Sequence, residues 1–353
     1  MYSSMYLKLV VLLFAVHLPI SYAQDLACQG QFEGKTAKMI VSHAAGGGYD
    51  TYARIFASHY GKVTGARMRV ENWPAGKGLV GARKVMQAPA DGLTVGIQDA
   101  TRRMVDSMLS DAGLPDILAD FTILARFARS RHVLLVGGES GIADIQDLFN
   151  TNPTPVFGTN NLRSTGFLAT VLIGDLLQMK FDTVSGIGGT RKRVLAASRG
   201  DVDIISSNFN SVVSDIESGA LRPLLQTSST PISNHPDLEN VPLLGGAEGI
   251  AAGRAADLGL DVDNAIERAR VIETLTGAGR LFVTSSKLPA DLAACLQDAF
   301  LTIMQTQDFI NDINKVNLTL DIADGHSASA ALQRDQAGFK QLIPVLKDYI
   351  DEL

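Results

Sequence analysis

The sequence predicts an α/β protein built as two lobes, each around a mainly parallel sheet. Three observations carry this. About 330 residues follow an N-terminal export segment, more than one domain usually holds and enough for two apolar cores. Strand-like apolar runs alternate with helical patterns over most of the chain. The layout of the first half returns in the second, with no sequence identity between them.

The elements follow in order. A strand is expected over residues 38–42 (KMIVS), a helix over 49–61, a strand over 67–71, a helix over 80–87 and a strand over 93–97. That βαβαβ run implies a parallel sheet with right-handed crossovers. The next strand is read at 132–136 (HVLLV). A second set covers strand 155–157, helix 166–179, strand 182–184, helix 190–199, strand 202–205, helix 211–218 and strand 221–225. After the loop-rich stretch 231–253 come helix 263–275, strand 281–284, and helices over 290–304, 307–314 and 327–350. The expected organisation is a signal peptide at 1–23, the first part of lobe 1 at 24–130, and lobe 2 at 131–225. Residues 226–353 are expected as a return segment with the C-terminal helices of lobe 1.

The N-terminal reading rests on Lys8, the apolar run 9–16, and small residues Ser21 and Ala23 at −3 and −1 of a cut after Ala23. The run is too short to span a membrane, which takes roughly 20 apolar residues. Cys28 sits near a lipobox position, but Asp25 stands where an aliphatic residue is required. An exported, unlipidated periplasmic protein is expected. A net charge of −6 argues against nucleic-acid binding, and any anionic ligand must be attracted by local charge. Two cysteines, Cys28 and Cys295, lie outside any CxxC or Cys/His cluster. No metal and no cofactor is expected. In an oxidising compartment the two cysteines either form one disulfide or remain two thiols.

In open α/β sheets ligands bind at the carboxyl ends of strands, so the loops after strands hold the candidate site. After the first strand come His43, then Ala44, Ala45, Gly46, Gly47, Gly48, Tyr49 and Asp50, opening into a helix. Glycines at such a junction let backbone N–H groups approach a ligand, and the helix N-terminus favours an anion. A tight βα turn without a ligand fits the same residues, and Asp50 suits a helix cap as well as a ligand. The loop after strand 155–157 offers Gly158, Thr159, Arg163, Ser164 and Thr165, again ahead of a helix. Later loops add Gly189, Ser207 and Asn208, and Arg102 follows the third strand, where a guanidinium can grip a carboxylate with two hydrogen bonds. Neither the dinucleotide G-x-G-x-x-G spacing nor a Walker loop is present. No G-x-S-x-G, H-E-x-x-H or S-x-x-K constellation with partner motifs occurs either. Donors without a nucleophile favour binding over turnover, so no enzyme is expected.

With these residues in view, a family resemblance emerges. The segment 38–54 resembles the opening of the receptors of tripartite tricarboxylate transporters, the Bug family, which reads strand, A-x-G-G-x-x-D, then a helix beginning with an A-R pair. Residues 70–78 resemble that family's V-x-N-x-P-G-A-G-G, and 90–95 its P-D-G-Y-T-L. Residues 200–204 and 219–224 match G-x-V-D and G-K-L-R-x-L, all in register from about residue 36 onward. The resemblance implies a type II Venus-flytrap, periplasmic-binding-protein-like fold. It also implies that Ala44 to Asp50 and Gly158 to Thr165 clamp a small carboxylate, which is passed to the permease subunits of an ion-gradient-driven transporter. The chain departs from the pattern at Asn160–Arg163 and at Lys77, which bears on the identity of the ligand. A monomer is expected. An orphan sensor reporting to a membrane signalling protein is the alternative, and an extracytoplasmic enzyme a third reading.

Overall fold

The computed structural model describes residues 29–109, 114–233 and 235–351; the signal-peptide segment and Cys28 lie outside the described residues. Eleven strands form two sheets. They are β1 (Thr36–Val41), β2 (Arg67–Asn72), β3 (Thr94–Asp99), β4 (Phe121–Ala128), β5 (His132–Gly137), β6 (Val156–Gly158), β7 (Asp182–Val184), β8 (Ile204–Asn208), β9 (Leu221–Gln226), β10 (Arg280–Ser285) and β11 (Ala323–Asp324). The first sheet has the order β11-β4-β10-β3-β1-β2 and the second β7-β6-β8-β5-β9. An α/β fold on two sheets is therefore what the chain forms.

Both sheets are mixed. β1 pairs in parallel with β2 and β3, and β6 with β7 and β8, as the crossover pattern required. β10 runs against β3 and β4, and β5 against β8 and β9. These two strands are where the chain enters each sheet from the other. β5 starts four residues after β4 ends, and β10 follows the long return from β9. A strand that arrives from outside the βαβ series is free of the rule that crossovers keep strands parallel. β4 was not anticipated, because it is buried on nearly its whole length and shows no alternation.

Helix Gly48–Thr64 shows how sequence becomes packing. Gly47 precedes it in extended backbone and Gly65 ends it in the left-handed region (φ 71°). Tyr52, Ala53, Phe56 and Tyr60 share one buried face, as 3.6-residue periodicity requires. Phe56 stacks within 4.5 Å (ring centroids) of both Phe282 and Phe300. Removing such a fully buried ring costs about 3–5 kcal/mol.

The stretch after β9 packs on elements of both sheets. β10 and β11 join that sheet, but helices Ile250–Asp257 and Val262–Gly277 pack on helix Thr165–Leu177. The last helix, Gly325–Asp351, packs on β4 and reaches the second sheet's elements, where the Tyr349 OH donates to the Phe181 carbonyl (3.0 Å). A 27-residue helix of this length, about 40 Å, simply outruns one sheet. Cys295 is buried on helix Ala290–Gln305. Among the described residues no helix is long and apolar enough to cross a membrane, and no group of His, Cys, Asp and Glu could hold a metal ion.

Candidate functional site

The carboxyl ends of β1, β3, β6 and β8 deliver residues to one cavity of about 230 Å³, lined from both sheets. The first residues of the two antiparallel strands join them. Arg280, opening β10, sits opposite Asp99, the last residue of β3. His132, opening β5, sits opposite Asn208, the last residue of β8. An antiparallel strand begins where its parallel neighbours end, so its first side chain reaches the same edge.

On the first-sheet side Asp99 is the organising acid. Its Oδ2 accepts from Tyr49 OH (3.0 Å) and its Oδ1 from the Arg102 backbone N–H (3.1 Å), closing the start of helix Ala100–Leu109. The Arg280 guanidinium lies 4.6 Å above the Tyr49 ring, and its Nε has no hydrogen-bond partner among the described residues. Gly279 makes this strand start possible: φ is 98°, and a Cβ there would stand 2.7 Å from Arg126 Cδ and 2.8 Å from the Ala128 carbonyl. His43 stacks on Tyr49 at 3.8 Å with rings 5° from parallel. Burial pushes the His43 imidazole down to about 4, with Arg102 and Arg280 adding to the effect and Asp99 opposing it. Burial also pushes the Tyr49 phenol up, helped by Asp99. At neutral pH His43 is uncharged.

The second-sheet side is built of hydroxyls, amides and one guanidinium. Ser164 caps helix Thr165–Leu177, accepting from the Phe167 N–H (3.3 Å), and its Oγ lies 3.1 Å from Thr159 Oγ1. The helix N-terminus faces the cavity at Thr165 and Gly166, whose amides have no partner within the helix. Ser206 holds His132 Nδ1 at 3.1 Å, and burial pushes that imidazole down to about 4, against a raising effect from Asp99. Arg193, on helix Gly189–Ser198, reaches the cavity beside Thr190, its Nη2 3.4 Å from Thr190 Oγ1. Burial lowers its pKa, and it forms no ion pair among the described residues.

The sequence-derived candidates divide. Tyr49 and Arg102 line the cavity from the first sheet, and Thr159, Ser164, Thr165, Ser207 and Asn208 from the second. Ala44, Ala45, Gly46, Gly47 and Gly48 are exposed and outside the lining. Only Gly46 of the three glycines has a positive φ (78°), so the loop is a turn that presents its flanks, His43 and Tyr49. Asp50 faces inward on that turn: its Oδ2 accepts from the Gly46 N–H (2.8 Å) and Arg54 Nε (2.9 Å), its Oδ1 from Asn72 Nδ2 (2.9 Å). Gly158, which is buried, and Gly189, which is exposed, are not among the lining residues. Arg163 is drawn away to Asp106, its Nη1 3.6 Å from Oδ1, where Arg102 Nε (3.5 Å) and Arg103 Nη2 (2.8 Å) also converge on the same carboxylate.

The sequence reading missed Arg193, Arg280, Asp99 and His132 as lining residues. Arg280 and His132 were invisible to a rule that looks only after strands, because each precedes one. Arg193 stood in the basic run Arg191-Lys192-Arg193, one residue beyond the glycines at 188–189, a signal that was legible.

This fold is similar to that of solved TctC-type and Bug-type solute-binding proteins. A TctC solute binding protein from Polaromonas superposes with a TM-score of 0.65 at 22% identity, over 88% of this chain and 98% of that one. MatC from Rhodopseudomonas palustris, solved with bound malate, gives 0.66 at 17% identity over 88% and 100%. Another R. palustris protein, solved with adipate, gives 0.68 at 18% over 89% and 97%. In sequence, a UPF0065 protein of Bordetella bronchiseptica is 23% identical over 246 residues, 67% of this chain and 69% of that protein. No protein-family model matches the chain. The resemblance to Bug-type receptors carried by the motifs thus extends to the fold.

Proposed function

We propose that this chain is an extracytoplasmic receptor that captures a small carboxylate in the cavity between its two sheets and hands it to the membrane subunits of a tripartite transporter. One observation carries the reading. Three guanidiniums, from Arg102, Arg193 and Arg280, and one carboxylate, Asp99, line the cavity of a protein whose net charge is −6, with Arg102 also paired to Asp106. Such a local reversal of field attracts an anion that the rest of the surface repels. The two sheets serve as lobes, joined at 129–131 and again ahead of β10, and closing them on the solute excludes water and strengthens each charge-assisted bond. The signal-peptide pattern at 1–23 fits a periplasmic location, and malate and adipate in structural neighbours fit the solute class. Energy comes from an ion gradient across the permease, and the receptor itself turns nothing over.

A thermal-shift panel of malate, succinate, adipate, citrate, aromatic acids and amino acids tests this. A cognate acid at 100 times its Kd adds about 2.7 kcal/mol by mass action. That raises Tm by roughly 4 °C in a protein of this size. A folded protein that no carboxylate stabilises, or that an amine or sugar stabilises instead, would refute the reading.

A further inference from the structure

We propose that a basic flank of the first sheet is a docking surface, and that it receives an acidic protein face on the membrane subunits that take the solute. This deepens the receptor reading and rests on it. Residues 51–90 hold seven lysines and arginines, all exposed, and one acid, Glu71. That stretch is +6 in a chain of −6, which leaves −12 for the rest. Two of the seven are answered within the fold, Arg54 by Asp50 (2.9 Å) and Lys62 by Asp308 (3.1 Å). The other five are Arg67, Arg69, Lys77, Arg83 and Lys84.

Strand register brings these together with the exposed Lys38. Met39 and Val70 are paired positions of β1 and β2, and both join the core that helix Gly48–Thr64 covers. Side chains alternate along a strand, so Lys38, Arg67 and Arg69 take the opposite face. There Ile40 shares a core with Ala82 and Val85 of helix Leu79–Met86, the helix that carries Arg83 and Lys84. Lys84 lies 3.9 Å over the Trp73 ring, and Trp73 Nε1 donates to Glu71 (3.3 Å), which sits 3.9 Å from Arg69. Lys38, Arg67, Lys77 and Arg83 form no ion pair among the described residues. Cations on an edge strand such as β2 keep it from pairing with other chains. That accounts for Arg67 and Arg69 but not for Lys77, Arg83 and Lys84, which lie off the strand.

Lys77 carries the argument furthest. It stands between Gly76 and Gly78 with φ 56°, in the left-handed region, where a Cβ is strained. The turn is pinned, because a Cβ on Gly78 would stand 2.6 Å from the Ser42 carbonyl. Glycine at 77 would relieve the strain, whereas the lysine adds a charge that no acid of the fold answers. Strain kept in this way points to a contact outside the molecule. Ser42 precedes His43, which lines the solute cavity, so a partner on this turn stands at the cavity's edge. A layer of lipid headgroups offers a small acid no path onward. An acidic protein face does, and it can match cations held at fixed spacing.

Uptake in cells separates docking from solute binding. Cells of the source organism deleted for this chain are complemented with wild type or variants at matched levels. They are then given, radiolabelled, the thermal-shift acid that stabilises the wild type most. The Arg83→Glu/Lys84→Glu double variant should cut uptake about 10-fold or more, since like charges now face each other. Lys77→Gly should cut it about 3-fold while its Tm stays level or rises. Both should bind the acid within about 2-fold of wild type by calorimetry, because neither touches the cavity. Arg199→Glu, past the end of helix Gly189–Ser198, should leave uptake unchanged. Normal uptake in both flank variants overturns the docking surface while the receptor reading stands, as does a loss matched by weaker solute binding or an equal loss in Arg199→Glu. Flotation of wild type, but not of the double variant, with phosphatidylglycerol vesicles overturns it in favour of a bilayer. Uptake that is the same with and without the wild-type chain overturns both.

Discussion

Arg280 and His132 occupy the same place in two different sheets and give it opposite chemistry. Each opens an antiparallel strand, and each sits opposite the last residue of a strand whose end faces the cavity, Asp99 for Arg280 and Asn208 for His132. The first sheet fills the place with a permanent cation braced on the Tyr49 ring. The second fills it with an imidazole that burial keeps uncharged at neutral pH and that leans on Ser206. The second side therefore takes its charge from Arg193, on the helix after β7. Equivalent positions in a two-sheet fold supply a common address, and the side chain placed there decides whether it holds charge or shape.

The sharpest way to break this comparison is pH. His132 has a folded-state pKa of about 4 against an ordinary 6.5, and so does His43. Between those values the unfolded chain binds more protons than the folded one, so stability falls as pH drops from 6.5 and reaches its full loss near 4. For His132 alone that amounts to about 3 kcal/mol. A bound carboxylate opposes this by favouring the imidazolium, so acid affinity should rise between pH 7 and 5 while apo stability declines. Denaturant unfolding and calorimetry across that range check both slopes, with His132→Asn expected to flatten each. Parallel slopes in wild type and variant would remove His132 from the cavity's electrostatics.

A smaller effect is expected at Arg163. It belongs to the second of the two loops expected to clamp a ligand, yet its guanidinium, about a third exposed, pairs with Asp106 across the two sheets. Arg163→Ala should cost under about 1 kcal/mol in binding, as a partly solvated pair does. Calorimetry showing a loss as large as that of a cavity arginine would mean that Arg163 swings to the solute.

Much of this was legible in the sequence. The parallel strands β1, β2 and β3 were plain because glycine-rich turns bound them and helices separate them. The loops after β1 and β6 run along the cavity's edge, where the glycines 46–48 shape a turn and its flanks, His43 and Tyr49, do the lining. What stayed hidden was of two kinds. β4 is buried on both faces, so it carries no alternation to read. Arg280 and His132 owe their positions to antiparallel pairing, which depends on where the chain re-enters each sheet and leaves no local pattern. Cys28 lies outside the described residues, so the two alternatives read from the sequence, one disulfide with Cys295 or two thiols, both stand.

The central claim is that a carboxylate sits against the guanidiniums that the two sheets bring to one cavity. A crystal structure of the protein grown with whichever acid of the thermal-shift panel stabilises it most tests that directly. The account predicts a carboxylate oxygen within about 3 Å of an Arg280 nitrogen, with the remainder of the solute running toward Arg193 between Thr159 and Ser207. The same acid found bound outside the cavity, or inside it with both arginines turned away, would contradict it.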